Sequence, residues 1–113
     1  MKKTISSKVY QIESYERTYE VIPEYGTYQN NNSLAVSLRF KDKSQEEDDL
    51  FGTITVNLPE SILVPFDAQF VDVNNFPNIG RWLKENGLAN PVGLSVHSGF
   101  VTYPLYQFHL PND

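Results

Sequence analysis

The sequence predicts an α+β fold, with a mainly antiparallel sheet of about five strands and one principal helix packed on one face. Several segments alternate apolar and polar residues, which is typical of half-buried strands. Only residues 75–87 place apolar side chains at helical spacing. The 113 residues are 40% hydrophobic, so we expect residues 1–113 to form a single domain that is large enough to bury a core.

The N-terminal strands are predicted over residues 8–22, as one bent strand or a hairpin rich in tyrosine and β-branched residues. The apolar positions are Tyr10, Ile12, Tyr19 and Val21. Residues 24–33, EYGTYQNNNS, are predicted to form a turn, because Gly26 and the asparagines tolerate left-handed backbone geometry.

The clearest strand is residues 33–40, SLAVSLRF, which has a strict period of two. One face carries Leu34, Val36, Leu38 and Phe40. Residues 50–58, LFGTITVNL, repeat the pattern, with inward positions at Ile54, Val56 and Leu58. We expect these two segments to pair as an antiparallel hairpin across the polar connection at residues 41–49. A further short strand is predicted over residues 68–73.

The helix is defined by its end signals and its apolar face. Asn75 can cap it, Pro77 suits its first turn, and Gly87 suits its end. The apolar face consists of Phe76, Ile79, Trp82 and Leu83. Gly80 inside the helix costs about 1 kcal/mol relative to alanine. We therefore expect packing of Trp82 against the sheet to hold the helix, and its truncation to alanine to cost roughly 3–5 kcal/mol.

The last strand is predicted over residues 101–110, where both alternating sets of side chains are largely apolar and both faces can be covered. Pro104 cannot donate to a sheet ladder, which favours an edge position or a bulge. His97 is expected to lie exposed before a turn at Ser98 and Gly99.

The residues that most enzymes need are scarce. The chain has no cysteine, and His97 and His109 have no partner at metal-ligand spacing. Ser98 adjoins His97, but neighbours on a strand point to opposite faces, which disfavours a serine nucleophile. No glycine-rich phosphate loop is present. We expect no catalytic residue, metal or cofactor, and an enzyme that uses Asp72 with Glu85 is kept as an alternative.

Charge and composition exclude two classes of partner, nucleic acids and membranes. Nine basic and fourteen acidic residues give a net charge of −5, and the basic residues are scattered, so direct nucleic-acid binding is not expected. No segment approaches the roughly 20 apolar residues of a membrane span, and the start lacks the apolar stretch of a signal peptide. We expect a soluble cytoplasmic protein that binds another protein, without a prediction of its oligomeric state.

Two loop regions are candidates for binding. The candidate residues are Tyr25, Tyr28, Asn31, Asp72, Asn74 and Asn75. The first three can form a recognition loop, because tyrosine and asparagine suit adaptable interfaces. The last three lie where a strand passes into the helix, and loops between rigid elements often carry function. Turn formation and helix capping explain the same residues without a ligand.

The densest charge is the run Glu46-Glu47-Asp48-Asp49. A solvated loop is the ordinary interpretation of such a run. Two functional alternatives are a contact for a basic partner protein and an inhibitor whose carboxylates mimic nucleic acid. A calcium site is disfavoured, because the run lacks alternating oxygen ligands and a glycine turn.

Five strings follow one another along the chain: YGTYQNNNSLAVSL at 25–38, NLP at 57–59, FVDVNNFP at 70–77, KENGLANPVG at 84–93 and SGFVTYPLYQF at 98–108. Together they resemble a bacterial family of unknown function. The family pattern has threonine where this chain has Val73 and Val92, and cysteine where it has Val101. The last difference argues against an essential cysteine at that position.

The resemblance implies a small intracellular protein of the kind that Gram-positive bacteria carry on plasmids, phages and integrative elements. It brings no established activity, so it carries over no catalytic residue. The resemblance therefore supports an accessory role on a mobile element, and leaves the partner and any ligand unidentified.

Overall fold

Two antiparallel sheets and one short helix form the fold in a computed structural model, which describes residues 3–42 and 49–111. Sheet A contains β1 (Lys3–Thr4), β2 (Tyr10–Ser14), β3 (Arg17–Thr27), β4 (Leu34–Phe40) and β5 (Leu50–Thr53). Sheet B contains β6 (Thr55–Val56), β7 (Ala68–Val71), β8 (Ala89–Ser98) and β9 (Val101–Phe108). A 3₁₀ helix (Pro59–Leu63) precedes β7, and helix α1 (Ile79–Glu85) precedes β8. The predicted α+β class is confirmed, and the second sheet is an addition to it.

Sheet A has the order β1-β3-β4-β5, with β2 also paired to β3. β2 and β3 form a hairpin closed by Tyr15 and Glu16, whose φ angles of 50° and 65° match a type I′ turn. The hairpin alternative for the N-terminal strands is therefore confirmed. The turn predicted over residues 24–33 is wrong in its first part, because β3 continues to Thr27, which pairs with Leu34 of β4.

Residues 50–58 do not form the single strand that their pattern predicts. β5 pairs with β4 as expected, but the chain then leaves sheet A and joins sheet B in β6. Ile54 lies fully buried at the crossing. Its N–H donates to the Val36 carbonyl at 2.9 Å, and its carbonyl accepts from the Asp72 N–H at 2.8 Å. One alternating pattern thus serves two sheets that share a core.

The main core lies between the two sheets and α1. Alternate residues of β2, β3 and β4 fill it from sheet A, and α1 contributes Ile79 and Leu83. The inner face of sheet B contributes Val71, Ala89 and Phe108. Burial of these apolar side chains is the main favourable term in folding, at about 25 cal/mol per Å².

The outer face of sheet B carries a second, smaller apolar cluster. Strand residues alternate between faces, so Leu105 and its cross-strand partner Phe70 point away from the main core. Leu58, just before the 3₁₀ helix, joins them. The residues that pack against this cluster but stay partly exposed are Val56, Val64, Val96 and Tyr103.

Helix α1 begins later than its capping pattern predicts. Asn78, and not Asn75, is the N-cap residue. Asn75 directs its side-chain amide back to Asp72, and the Phe76 N–H donates to the Asp72 carbonyl at 2.9 Å, so these residues form a separate turn. The end of the helix agrees with the prediction, because Gly87 adopts a φ of 69° just beyond it.

Strand β9 lies inside sheet B over only part of its length. Residues from Leu105 onward pair with β7 and β8, whereas residues 101–104 pair with β8 alone. Pro104 therefore lies at a local edge and beside a bulge in β8, in agreement with its predicted position. The free part of this hairpin, residues 92–104, is called the arm below. In the predicted strand, residues 101–110, only Thr102, Gln107 and His109 are exposed, whereas most of the β8 half of the arm is exposed.

Candidate functional site

The recognition loop predicted at the asparagine-rich turn has structural partners. Tyr25 belongs to β3 and packs against the main core. Asn31 Nδ2 donates to Asn57 Oδ1 at 2.9 Å, and Asn31 Oδ1 accepts from the backbone N–H and the hydroxyl of Ser33. Asn57 Nδ2 donates in turn to Asn30 Oδ1 at 2.9 Å. These bonds hold the turn against the connection after β6 and account for its amides without a ligand.

A buried glutamine extends this network into the core. Gln69 on β7 is fully buried, and its amide donates to the Leu34 carbonyl at 2.8 Å and to Ser33 Oγ at 3.2 Å. Its carbonyl oxygen accepts from Ser61 Oγ at 2.7 Å and from the Phe70 N–H at 2.9 Å. The bonds offset the cost of burying an amide. Gln69 thereby ties sheet A and the 3₁₀ helix to sheet B.

Tyr28 has a raised pKa for a structural reason. Burial is the main cause, a hydrogen bond with Thr55 Oγ1 at 3.0 Å lowers the pKa in part, and the charge of Asp72 raises it further. The Tyr28 hydroxyl also donates to the Thr55 carbonyl at 3.2 Å. Tyr28 is thus a neutral hydroxyl that binds the turn to β6, and its raised pKa makes it a poor general base.

The Asp72 carboxylate closes the turn that leads to α1. Oδ1 accepts from the Asn75 N–H at 3.1 Å, and Oδ2 accepts from Asn75 Nδ2 at 2.8 Å. Asp72 is buried, and these bonds satisfy its carboxylate. Glu85 lines the groove between β2 and α1, and Asp72 is not among the residues that line it. The two carboxylates therefore do not share this groove. Their joint use in catalysis stays a prediction.

A groove of about 730 Å³ lies between β2 and α1. Its β2 side consists of residues 11–15, and its other side includes residues 74–79 with Phe51. Two of the sequence candidates, Asn74 and Asn75, therefore lie in one cavity. Trp82 closes one part of the groove, because its Nε1 donates to the Gln11 carbonyl at 2.7 Å.

The charges in the groove do not balance. Its charged lining residues are Glu13, Arg81 and Glu85. Arg81 Nε pairs with Glu85 Oε2 at 3.2 Å in an exposed i,i+4 contact. No cation within the described ranges forms an ion pair with Glu13. The groove therefore has one carboxylate in excess.

The second candidate surface, called the outer surface below, was not expected from the sequence. It combines the outer face of sheet B with the arm and with residues 58–66. Of this last segment, Leu58 belongs to the outer cluster and Val64 packs against it. The large exposed apolar residues of the outer surface are Ile62, Leu63, Phe66, Val92, Leu94 and Phe100. None of these six residues lies on β9, so the apolar character of both alternating sets in that strand does not indicate this surface.

The outer surface has acidic groups without basic ones. Glu60 lies in the 3₁₀ helix, and Asp67 precedes β7 and accepts from Gln107 Nε2 at 3.0 Å. No lysine or arginine occurs between residues 50 and 80 or after Lys84. Sheet B therefore contributes no lysine or arginine, and its two histidines, His97 near the end of β8 and His109 just after β9, are exposed.

Among the residues that the structure describes, neither histidine belongs to a group that could hold a metal ion. Within residues 3–42 and 49–111, no cluster of histidine, aspartate and glutamate could hold a metal ion. His97 is exposed before the turn, as predicted, and its Nδ1 lies 2.7 Å from Thr102 Oγ1. No helix in these ranges has the length and apolarity to cross a membrane. Of the acidic run, Glu46, Glu47 and Asp48 lie outside the described residues, so its functional interpretations stay predictions.

Together these features define a small α+β domain of two antiparallel sheets, with a groove at one helix and an exposed apolar surface on one sheet. Residues 23–112 match the family described as Domain of unknown function (DUF4313), and the chain belongs to that family. The predicted resemblance to a family of unknown function is confirmed. Neither a curated protein nor a solved structure matches the chain.

Proposed function

We propose that the protein is a non-enzymatic binding module, an accessory protein of a mobile element that works in the cytoplasm, and that it binds a partner protein through the outer surface. The observation that carries the proposal is the exposure of six large apolar side chains there, among eight in the described residues. Apolar patches of this kind mark interaction sites, because their removal from water favours association.

The face of sheet B, with the arm, is better suited to docking than the edge of β8. β8 is the terminal strand of the sheet, but Pro91 lacks an N–H and the bulge that follows interrupts the ladder. Both features hinder the addition of a strand at an edge. The arm instead presents Phe100 in a two-residue turn in which Gly99 has a φ of 61°. An aromatic side chain in such a position is a suitable anchor for a partner.

Charge restricts the partner. Two copies that met through this surface would bring Glu60 and Asp67 near their counterparts, and like charges oppose association. The same acidic groups repel nucleic acid and anionic lipid. We therefore infer a protein partner whose apolar contact region is flanked by lysine or arginine.

Photocrosslinking can identify this partner. The photoreactive residue benzoylphenylalanine replaces Phe100, the protein is irradiated in a lysate of a Gram-positive host, and mass spectrometry identifies the product. The purified partner is then titrated by calorimetry with the wild type, Phe100→Ser and Leu94→Ser. Tyr15→Ser is the matched control, because Tyr15 is an equally exposed aromatic residue in the β2–β3 turn.

We expect Phe100→Ser to weaken binding about thirtyfold or more, the scale of a hot spot, and Tyr15→Ser to leave the affinity unchanged. Equal affinity of the wild type and Phe100→Ser would contradict the proposal. If the crosslinks join only two copies of this chain, the surface serves self-association and the proposal of a partner protein is wrong.

A further inference from the structure

The free edge of β2 has a defined hydrogen-bonding pattern. In an antiparallel pair, successive residues direct their backbone groups alternately toward the partner strand and away from it. The Glu20 carbonyl accepts from the Lys41 N–H at 2.9 Å, on the side of β3 that faces β4. Glu20 and its β2 partner Gln11 are therefore a non-hydrogen-bonded pair. By the same period of two, Gln11 and Glu13 direct their backbone groups away from β3.

Trp82 supports this direction independently. Its Nε1 reaches the Gln11 carbonyl from the α1 side at 2.7 Å, so that carbonyl faces the groove. In the part of the chain that the structure describes, the Gln11 N–H and both backbone groups of Glu13 have no hydrogen-bond partner. A strand edge with unpaired groups is a template for a further strand.

We propose that the groove between β2 and α1 binds an extended peptide segment of a partner protein, which pairs with the backbone of Glu13 and adds a strand to sheet A. This mode of recognition obtains affinity from main-chain hydrogen bonds and specificity from alternate side chains. The site is separate from the outer surface, so it goes beyond the function proposed above and does not depend on it.

The side chains around the edge define the peptide. The peptide residue opposite Glu13 lies on the same face as the unpaired carboxylate, so a lysine or arginine is favoured there. Its two neighbours point to the other face, toward Ile12 and the aromatic residues Phe76 and Trp82. These positions favour apolar side chains, so the segment alternates basic and apolar residues.

A second copy of the chain is a poorer occupant of this edge. Antiparallel pairing of two β2 strands would bring the two Glu13 carboxylates close together without a cation between them. Each chain also carries a net charge of −5, which opposes association of two copies. A basic segment of another protein relieves both effects.

The test uses a fluorescein-labelled hexapeptide of alternating lysine and valine. One matched peptide carries N-methyl groups on the lysine backbone nitrogens, which removes the donors that would face Glu13. A second has glutamate in place of lysine. Fluorescence anisotropy measures affinity, and hydrogen exchange followed by NMR locates the site. We expect the parent peptide to slow exchange of the Gln11 and Glu13 amides, and N-methylation to weaken binding at least tenfold.

Two substitutions separate the backbone from the side chain. Glu13→Pro removes an N–H that the β2–β3 hairpin does not use, so the fold is retained and peptide binding is lost. Glu13→Lys keeps the N–H but reverses the charge of the side chain. We expect it to weaken binding of the lysine peptide and to strengthen binding of the glutamate peptide, each by about two- to fivefold. Asp42→Lys is the control, since it makes the same charge change at an exposed position outside both the groove and the outer surface, and it should leave peptide affinity unchanged.

The N-methylated peptide and the exchange data keep the inference testable even if Glu13→Pro does not fold. The inference is overturned if the parent peptide does not bind, or if it binds no better than its N-methylated form. Protection of β8 amides instead of β2 amides also overturns it, as does light scattering that gives a dimer in which the β2 edge is the protected one.

Discussion

Gly80 on α1 lies directly against the ring of Tyr106 on β9. A Cβ atom at Gly80 would come within 2.8 Å of Tyr106 Cζ and closer still to its hydroxyl oxygen. The close approach lets α1 pack on the inner face of sheet B. Glycine is unfavourable in a helix interior because of its backbone entropy, and this contact explains why the helix nevertheless contains it.

Gly80→Ala should destabilise the protein. Alanine gains about 1 kcal/mol in helix propensity, but overpacking against the ring costs about 1–3 kcal/mol. We expect a net loss of up to about 2 kcal/mol in the free energy of unfolding, measured with urea. Tyr106→Phe, which removes the closest atom, should restore part of the loss in the double variant.

Gly87→Ala is the matched control for this cycle. Its cost arises from the positive φ of 69° and not from a neighbour, since nothing lies within 4 Å of the added Cβ. Tyr106→Phe should therefore not relieve it. A stabilising Gly80→Ala, or equal rescue of both alanine variants, would contradict the contact.

Gln69→Met tests the buried network. The substitution keeps the side-chain size but leaves the Leu34 carbonyl and Ser61 Oγ without their amide partner. We expect a loss of about 2–4 kcal/mol in the free energy of unfolding, because buried polar groups lose their hydrogen bonds. Gln107→Met removes only an exposed bond to Asp67 and should cost less than about 0.5 kcal/mol. Similar losses for both variants would mean that the buried network contributes no special stability.

The sequence predicts most of the strands and the helix because each has a periodic apolar pattern. The patterns of β4 and β2 are read correctly, since one face of each lies on the core. The division of residues 50–58 between two sheets is not predictable from that pattern, because Ile54 is buried in either arrangement. The later start of α1 is not predictable from the capping pattern either, because the Asn75 side chain bonds to Asp72 instead of capping the helix.

The candidate site was predicted less well than the fold. Tyrosine and asparagine suit both recognition loops and ordered turns, and only the partners of Asn31 and Tyr28 distinguish the two. Asn74 and Asn75 do line the groove, but its opposite wall is contributed by β2. Residues so distant in the sequence come together only through the tertiary fold. The unpaired edge depends on hydrogen-bond parity, which composition does not encode.

Alkaline titration tests Tyr28. Its pKa in the folded protein lies above the ordinary value of about 10, so the unfolded chain ionises first. The stabilising contribution is complete below about pH 10 and is lost as the pH rises through the folded-state pKa. We expect Tyr28→Phe to lose stability less steeply than the wild type above pH 10, by urea unfolding at a series of pH values. Parallel curves would place Tyr28 in an ordinary, solvated environment.

Asp72→Asn provides the second part of this test. It removes a charge that raises the Tyr28 pKa, so the tyrosinate should form at a lower pH in this variant than in the wild type. Absorbance at 295 nm follows the ionisation, and subtraction of the Tyr28→Phe curve isolates the one residue. An unchanged titration would show that the Asp72 charge does not act on Tyr28.

Trp82 joins α1 to β2 by two separable contacts. Its ring meets Tyr10 edge-on at 6.1 Å between centroids, and its Nε1 donates to the Gln11 carbonyl. The side chain is only partly buried, so Trp82→Ala should cost about 2–3 kcal/mol, below the roughly 3–5 kcal/mol expected for a fully buried tryptophan. Trp82→Phe keeps an aromatic ring and loses the hydrogen bond, so about 1 kcal/mol is expected. Urea unfolding measures both free energies. A loss as large for phenylalanine as for alanine would assign the stabilisation to the hydrogen bond alone, whereas no loss for either variant would place Trp82 outside the packed helix face.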